Sequence, residues 1–229
     1  MPVAFFITGT DTDVGKTTIA AGLLRAARLA GLSTAAVKPV AAGCEQTADG
    51  LRNSDALALL AECSTPLRYT EVNPVALAPA IAPHLAAAEV GICLEVTALT
   101  AAVQAVLAKQ ADFTLVEGAG GWRVPLNDSA TLADLAIALQ LPVIVVVAVR
   151  LGCINHALLT VGAIERDGLR VAGWVANLLE PQMPCLAENI ATLEARLQAP
   201  CLGRVPRLKQ VSAATVAGYL DLSRLTIQR

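Results

Sequence analysis

Short apolar runs recur along the chain, separated by longer stretches in which alanine, leucine and polar residues alternate at helical spacing. Residues 3–8, 33–39, 113–116, 143–149 and 171–176 read as strands, and Cys201–Val205 as a weaker sixth. A run such as Val143-Ile144-Val145-Val146-Val147 is apolar at every position, so both of its faces are expected to be buried. Strands of this kind alternating with helices predict an α/β fold: a mostly parallel, doubly wound sheet of about six or seven strands with helices on both faces. Residues 66–83 break the pattern. Four prolines there (Pro66, Pro74, Pro79 and Pro83) interrupt any helical or strand period, which predicts an ordered excursion or flap. One domain over residues 1–229 is expected, with no internal repeat.

Composition narrows the class. Hydrophobic residues make up 55% of the chain and charged residues 16%. Even the longest apolar strand is far short of the ~20 residues that span a bilayer. No basic segment followed by a cleavable apolar run opens the chain, so a cytoplasmic protein is expected. A net charge of −2 without any lysine–arginine cluster argues against nucleic acid as a partner. The six cysteines include no Cys-x-x-Cys pair and the two histidines lie far apart, which favours reduced, buried thiols over a zinc site.

In such sheets ligands bind beyond the carboxyl ends of the strands. The residues there are the chemical ones: positions 8–17, Lys38, Glu117, Arg150, Asn177 and Pro206. After the first strand comes Gly9-Thr10-Asp11-Thr12-Asp13-Val14-Gly15-Lys16-Thr17, followed by a helix-compatible stretch over residues 19–30. A strand, a glycine-bounded loop and a helix N-terminus form a nest of N–H groups for phosphate oxygens. Lys16 would face the β- and γ-phosphates and the Thr17 hydroxyl a magnesium ion. Gly15 lies one position further from Gly9 than the strict motif allows, and Thr10 stands where its first glycine would be.

Phosphoryl transfer also needs carboxylates to hold the metal. Glu117 ends a buried strand and precedes Gly118-Ala119-Gly120-Gly121, whose small residues let backbone approach a ligand. Asp55 fits either a metal ligand or a first-turn aspartate facing a helix dipole behind an Asn53 or Ser54 cap. Lys38 reads equally as a cation for the transferring phosphoryl group or as a snorkelling surface lysine. Asn155 is expected to cap the helix after the fourth strand, and His156 to pack or cap instead of catalysing.

Taken in order, the loop, Lys38-Pro39-Val40-Ala41, Gly50-Leu51-Arg52-Asn53-Ser54-Asp55-Ala56, Val116-Glu117-Gly118-Ala119-Gly120-Gly121-Trp122, Leu151-Gly152-Cys153-Ile154-Asn155-His156 and Gly173-Trp174-Val175-Ala176-Asn177 resemble the dethiobiotin synthetase family from the first strand almost to the C-terminus. The resemblance implies a P-loop NTPase-like fold and an ATP- and Mg²⁺-dependent closure of a cyclic urea on 7,8-diaminononanoate. One amine takes up CO₂ as a carbamate, ATP phosphorylates it, and the second amine displaces phosphate. By the same resemblance Lys38, Lys16 and Thr12 serve the transferred group, and Thr17, Asp55 and Glu117 hold the metal. Asp13, Val14 and Gly15, with Gly118, Ala119 and Gly120, line the nucleotide. Asn177 and Leu178 meet the adenine edge, and Val205, Pro206 and Arg207 flank it. Substrate contacts fall to Ala42, Gly118, Gly152, Cys153 and Asn155, the last three reaching across a homodimer interface that would account for part of the apolar excess.

Two departures stand out. Ala42 occupies a place where the family often has a substrate-contacting serine, and Leu178 one where a polar residue is common. The alternatives weigh less. A partitioning or membrane-switch ATPase would carry a lysine where this loop has Asp11, and residues 212–229 form no convincing basic tail. An amidotransferase-related synthetase acting on a corrinoid precursor would need a glutaminase domain for which 229 residues leave no room.

Overall fold

The computed structural model describes residues 2–225, so the last four residues of that tail lie outside it. Strand β1 (Val3–Gly9) leads through the loop into helix α1 (Lys16–Leu29) and on to β2 (Thr34–Val37). Three short strands follow, β3 (Val40–Ala41), β4 (Glu45–Thr47) and β5 (Gly50–Arg52), then α2 (Ser54–Ala61), α3 (Tyr69–Val72), β6 (Val75–Ala76) and α4 (Pro83–Glu89). The remainder alternates as α5 (Val96–Leu107), β7 (Phe113–Glu117), α6 (Leu132–Leu139), β8 (Val143–Ala148), α7 (Cys153–Arg166), β9 (Val171–Asn177), α8 (Leu186–Arg196), β10 (Cys201–Val205) and α9 (Ala213–Ala217).

Six strands form one parallel sheet in the order β10-β9-β8-β1-β7-β2. The all-apolar strands are buried on both faces, as their pattern requires. Along β8, Val143, Val145 and Val147 enter one core with α5, α6, α7 and α8, whereas Ile144, Val146 and Ala148 enter a second core with α1, α2 and α9. The period-2 alternation of side chains thus splits a single valine-rich run between two helix layers.

Boundaries differ from expectation where backbone chemistry intervenes. Helix α1 begins three residues early, at Lys16 itself, and β2 stops at Val37 because Pro39 cannot extend a ladder. The proline-rich excursion is more regular than its composition implies. Helix α3 and strand β6, which pairs in parallel with β3, occupy it, and Asn73 anchors it by donating from Nδ2 to the Lys38 carbonyl at 2.8 Å. The thiols are only partly buried: Cys44, Cys153 and Cys201 are, but Cys93 and Cys185 are exposed. Among the described residues no helix is long and apolar enough to cross a membrane.

Candidate active site

The loop after β1 sits at the centre of the sheet, because β1 lies between β7 and β8. Gly15 is the N-cap of α1 at φ 87°, with no side-chain cap and no acidic residue in the first turn. The free N–H groups and the helix dipole therefore face outward, ready for an anion. Gly15 has no substitute: a Cβ would meet the amide of Asn177 in a conformation that already disfavours L side chains.

Parallel pairing sets Ile7 opposite Glu117 and so brings the end of β7 to the loop. Glu117 is completely buried. Its Oε1 accepts from the Thr17 hydroxyl at 2.7 Å and from Lys38 Nζ at 2.6 Å. Lys38, 4% exposed, also lies 2.9 Å from Asp55 Oδ2. The surface-snorkelling reading of Lys38 is thereby corrected: β2 ends one residue short of it, and its ammonium is clasped between two carboxylates. For Asp55, Asn53 caps α2 by accepting from Ala56 N, which leaves the Asp55 carboxylate free to face Lys38.

These charges tune one another. Burial lowers the Lys16 pKa, and the nearby Lys38 lowers it further against the pull of Glu117. Burial acts the same way on Lys38, but Glu117 and Asp55 outweigh it and hold that pKa above the ordinary lysine value. Lys38 is thus the firmly charged cation and Lys16 the softer one. Lys16 Nζ donates to the Asp11 carbonyl at 3.0 Å.

A cavity of about 770 Å³ opens over this cluster. Thr12, Asp13, Gly15, Lys16, Thr17, Lys38, Ala42, Asp55, Glu117, Ala119 and Gly120 line it, so the structure gathers most of the expected set. Gly120, at φ 62°, closes toward the loop, where a Cβ would lie 3.4 Å from the Thr12 hydroxyl. The opposite wall had no sequence signal: Ala80, Ile81, Ala82 and Pro83 from the excursion, with Val124. It stays in place because Gly43 N donates to Pro79 O and Cys44 N to Leu77 O, both at 2.9 Å.

Other expected residues lie apart from that cavity. Asn177 ends β9 and donates from Nδ2 to the Val14 carbonyl at 2.9 Å, which fixes the loop from beneath. Leu178 N donates to Val205 O at 2.8 Å, grouping Asn177 and Leu178 with the segment that continues to Pro206 and Arg207. Gly118 donates its N–H to Ile7 O at 3.0 Å. Asn155 does not cap α7: the cap is Gly152 at φ 93°, and Asn155 falls within the first turn. Cys153 points into the core, whereas Gly152 and Asn155 are exposed.

The comparisons with known proteins agree with this architecture. The AAA domain family matches residues 3–215. The ATP-dependent dethiobiotin synthetase BioD of Pseudomonas aeruginosa is 66% identical over 224 residues, covering 98% of each chain. The enzyme of that name from Cellvibrio japonicus is 63% identical over 222 residues, covering 97% of each. Among solved structures, a ParA family ATPase from Chlorobium tepidum superposes with a TM-score of 0.55 at 13% identity, over 98% of this chain and 97% of that one, a likeness of fold alone. With a P-loop on a parallel sheet, a buried lysine–carboxylate cluster at its mouth and relatives this similar over almost their whole length, the chain belongs to the ATP-dependent dethiobiotin synthetase family of ligases.

Proposed function

We propose that the protein converts 7,8-diaminononanoate, CO₂ and ATP to dethiobiotin, ADP and phosphate. The observation that carries this reading is Lys38, buried between Glu117 and Asp55 at the mouth of the phosphate loop. A carbamate and a γ-phosphate repel each other, and bringing them in line requires cations on both sides. Lys16 would meet the phosphates and Lys38 the carbamate oxygen that attacks, with the Thr12 hydroxyl beside the transferred group. Displacement of phosphate from the mixed anhydride by the second amine closes the ring within one molecule, so no protein nucleophile is required.

The site suits magnesium. Glu117 Oε2 is buried with no partner, and Thr17 and Asp55 add a hydroxyl and a carboxylate beside it. Among the described residues no cluster of three or more His, Cys, Asp and Glu side chains forms a closed cage. That donor set matches an ion held by one or two carboxylates and the substrate's own phosphates. When bound, magnesium would neutralise charge on the β- and γ-phosphates. Asn177, Leu178, Val205, Pro206 and Arg207 would receive the base.

Ala42 offers no hydroxyl, so the apolar wall of Ala42, Ala80, Ile81 and Val124 would take the substrate's alkyl chain. Gly152 and Asn155 at the start of α7 would receive its carboxylate from a partner subunit of a homodimer. Incubation with the diamine, bicarbonate, ATP and Mg²⁺ should yield ADP and the cyclic urea in equal amounts. ATP hydrolysis indifferent to the diamine would overturn the reading in favour of a switch ATPase.

A further inference from the structure

A loop that receives a triphosphate is an unfavourable place for carboxylates, yet this one carries Asp11 and Asp13. Like charges facing one another weaken binding through the same Coulomb interaction that makes Lys16 helpful. Asp11 has a counterion. Arg150, two residues beyond β8, places Nη2 2.7 Å from Asp11 Oδ2, and Asp11 Oδ1 accepts the Thr12 N–H at 2.8 Å. The Asp11 carbonyl meanwhile accepts from Lys16 Nζ at 3.0 Å. One residue thus ties together the end of β8, the amide of Thr12 and the phosphate-facing lysine. Strand pairing makes this possible, since Thr10 N donates to Val146 O at 3.0 Å and lays the loop alongside β8.

The pair does little for folding. Its side chains are 39% and 47% exposed, and exposed ion pairs contribute little to stability. Its consequence lies in the electrostatic potential and shape of the loop. We propose that Arg150 is a positioning residue for nucleotide binding, which neutralises Asp11 and fixes the loop so that the Asp11 carbonyl keeps Lys16 aimed into the cavity. Arg150 acts through Asp11 and not by touching the phosphates. The proposal rests on the reading that this loop binds ATP.

The test compares Arg150→Gln, Arg150→Lys and the double variant Asp11→Asn/Arg150→Gln, using calorimetric titration of the purified full chain with Mg²⁺ and a non-hydrolysable ATP analogue. Arg150→Gln should weaken binding about tenfold, or about 1.4 kcal/mol. Arg150→Lys should retain most of the affinity. Asp11→Asn in the Arg150→Gln background should restore most of what was lost, because the carboxylate that Arg150 balanced is gone. In the diamine-dependent assay, Arg150→Gln should raise the KM for ATP and change kcat by less than about threefold. Unchanged affinity in Arg150→Gln would overturn the proposal. So would a double variant as weak as Arg150→Gln, which is the result of direct arginine–phosphate contact. Absence of diamine-dependent turnover would overturn the functional reading instead, and leave the binding comparison to decide this one.

Discussion

Lys38 is held by two acids of unequal freedom: Glu117 is sealed inside, whereas the Asp55 side chain is 44% exposed. Replacing Lys38 with glutamine keeps a hydrogen-bond donor near Glu117 but removes the charge that balances it. Nucleotide binding should persist while turnover falls by about 10²-fold or more, the usual cost of losing a charge-stabilising donor. Breaking a buried pair should also lower stability by about 3 kcal/mol, measurable by urea unfolding. Wild-type turnover in Lys38→Gln would remove Lys38 from the mechanism. Lys16 makes a separate prediction. Its pKa is lowered, so its charge is lost as pH rises through a value below that of an ordinary lysine. In the free enzyme kcat/KM for ATP should therefore decline early on the alkaline side. Lys16→Arg, whatever its activity, should lack that early decline, because a guanidinium does not titrate there. Lys16 was visible in the sequence through the loop motif, and Lys38 and Glu117 as residues at strand ends. The Lys38–Glu117 contact was not, because the pair spans 79 positions and depends on β2 lying beside β7. Arg150 was visible in the same way, and its partnership with Asp11 was hidden for the same reason.

At the scale of elements, legibility followed the hydrophobic period. The valine-rich β8 and the glycine-bounded loop before α1 could be read because one burial pattern or one motif determines each, although the helix itself was expected only from residue 19. The excursion was read less well. Prolines mark where regular structure is interrupted, but α3 forms between two of them through side-chain contacts that hydropathy does not encode. Glu71 accepts the Arg68 N–H at 2.7 Å at the start of the helix and pairs with Lys109 Nζ at 2.7 Å, linking α3 to the end of α5. The Lys109 bond, then the Arg68 N–H, lowers the Glu71 pKa from its ordinary 4.5 to about 2. A depressed carboxylate pKa stabilises the folded state above the unfolded value, and that stability is lost as pH falls from about 4.5 toward 2. Glu71→Gln should thus be less stable than wild type at pH 7, with the gap narrowing through this acid window. A gap in urea midpoint that is the same at pH 7 and pH 3 would show that Glu71 acts only as a cap.

For the whole molecule, the strand order separates the cavity from the start of α7. The loop over β1 gathers lysine and carboxylate groups in the cavity, whereas the start of α7 lies beyond β8 and outside it. That start carries Leu151, 88% exposed, and one face of α7 adds Leu159 at 66%. Apolar side chains this exposed are costly in water and suit burial against a second copy. If the proposed homodimer closes here, Leu151→Asp and Leu159→Asp should each shift sedimentation toward the monomer. Binding of the ATP analogue should be unchanged, because the loop, Lys38 and Glu117 lie in one chain. The KM for the diamine should rise at least about tenfold, since removing the partner removes one end of its binding site. Monomeric variants with an unaltered diamine KM would show that each chain holds a complete substrate site. A dimer that survives both substitutions would place the interface on another face. Loss of diamine affinity in step with dissociation, with nucleotide affinity retained, would show that the two halves of the reaction are held by different parts of the assembly: the phosphates by one chain's loop, the carboxylate by its partner's helix.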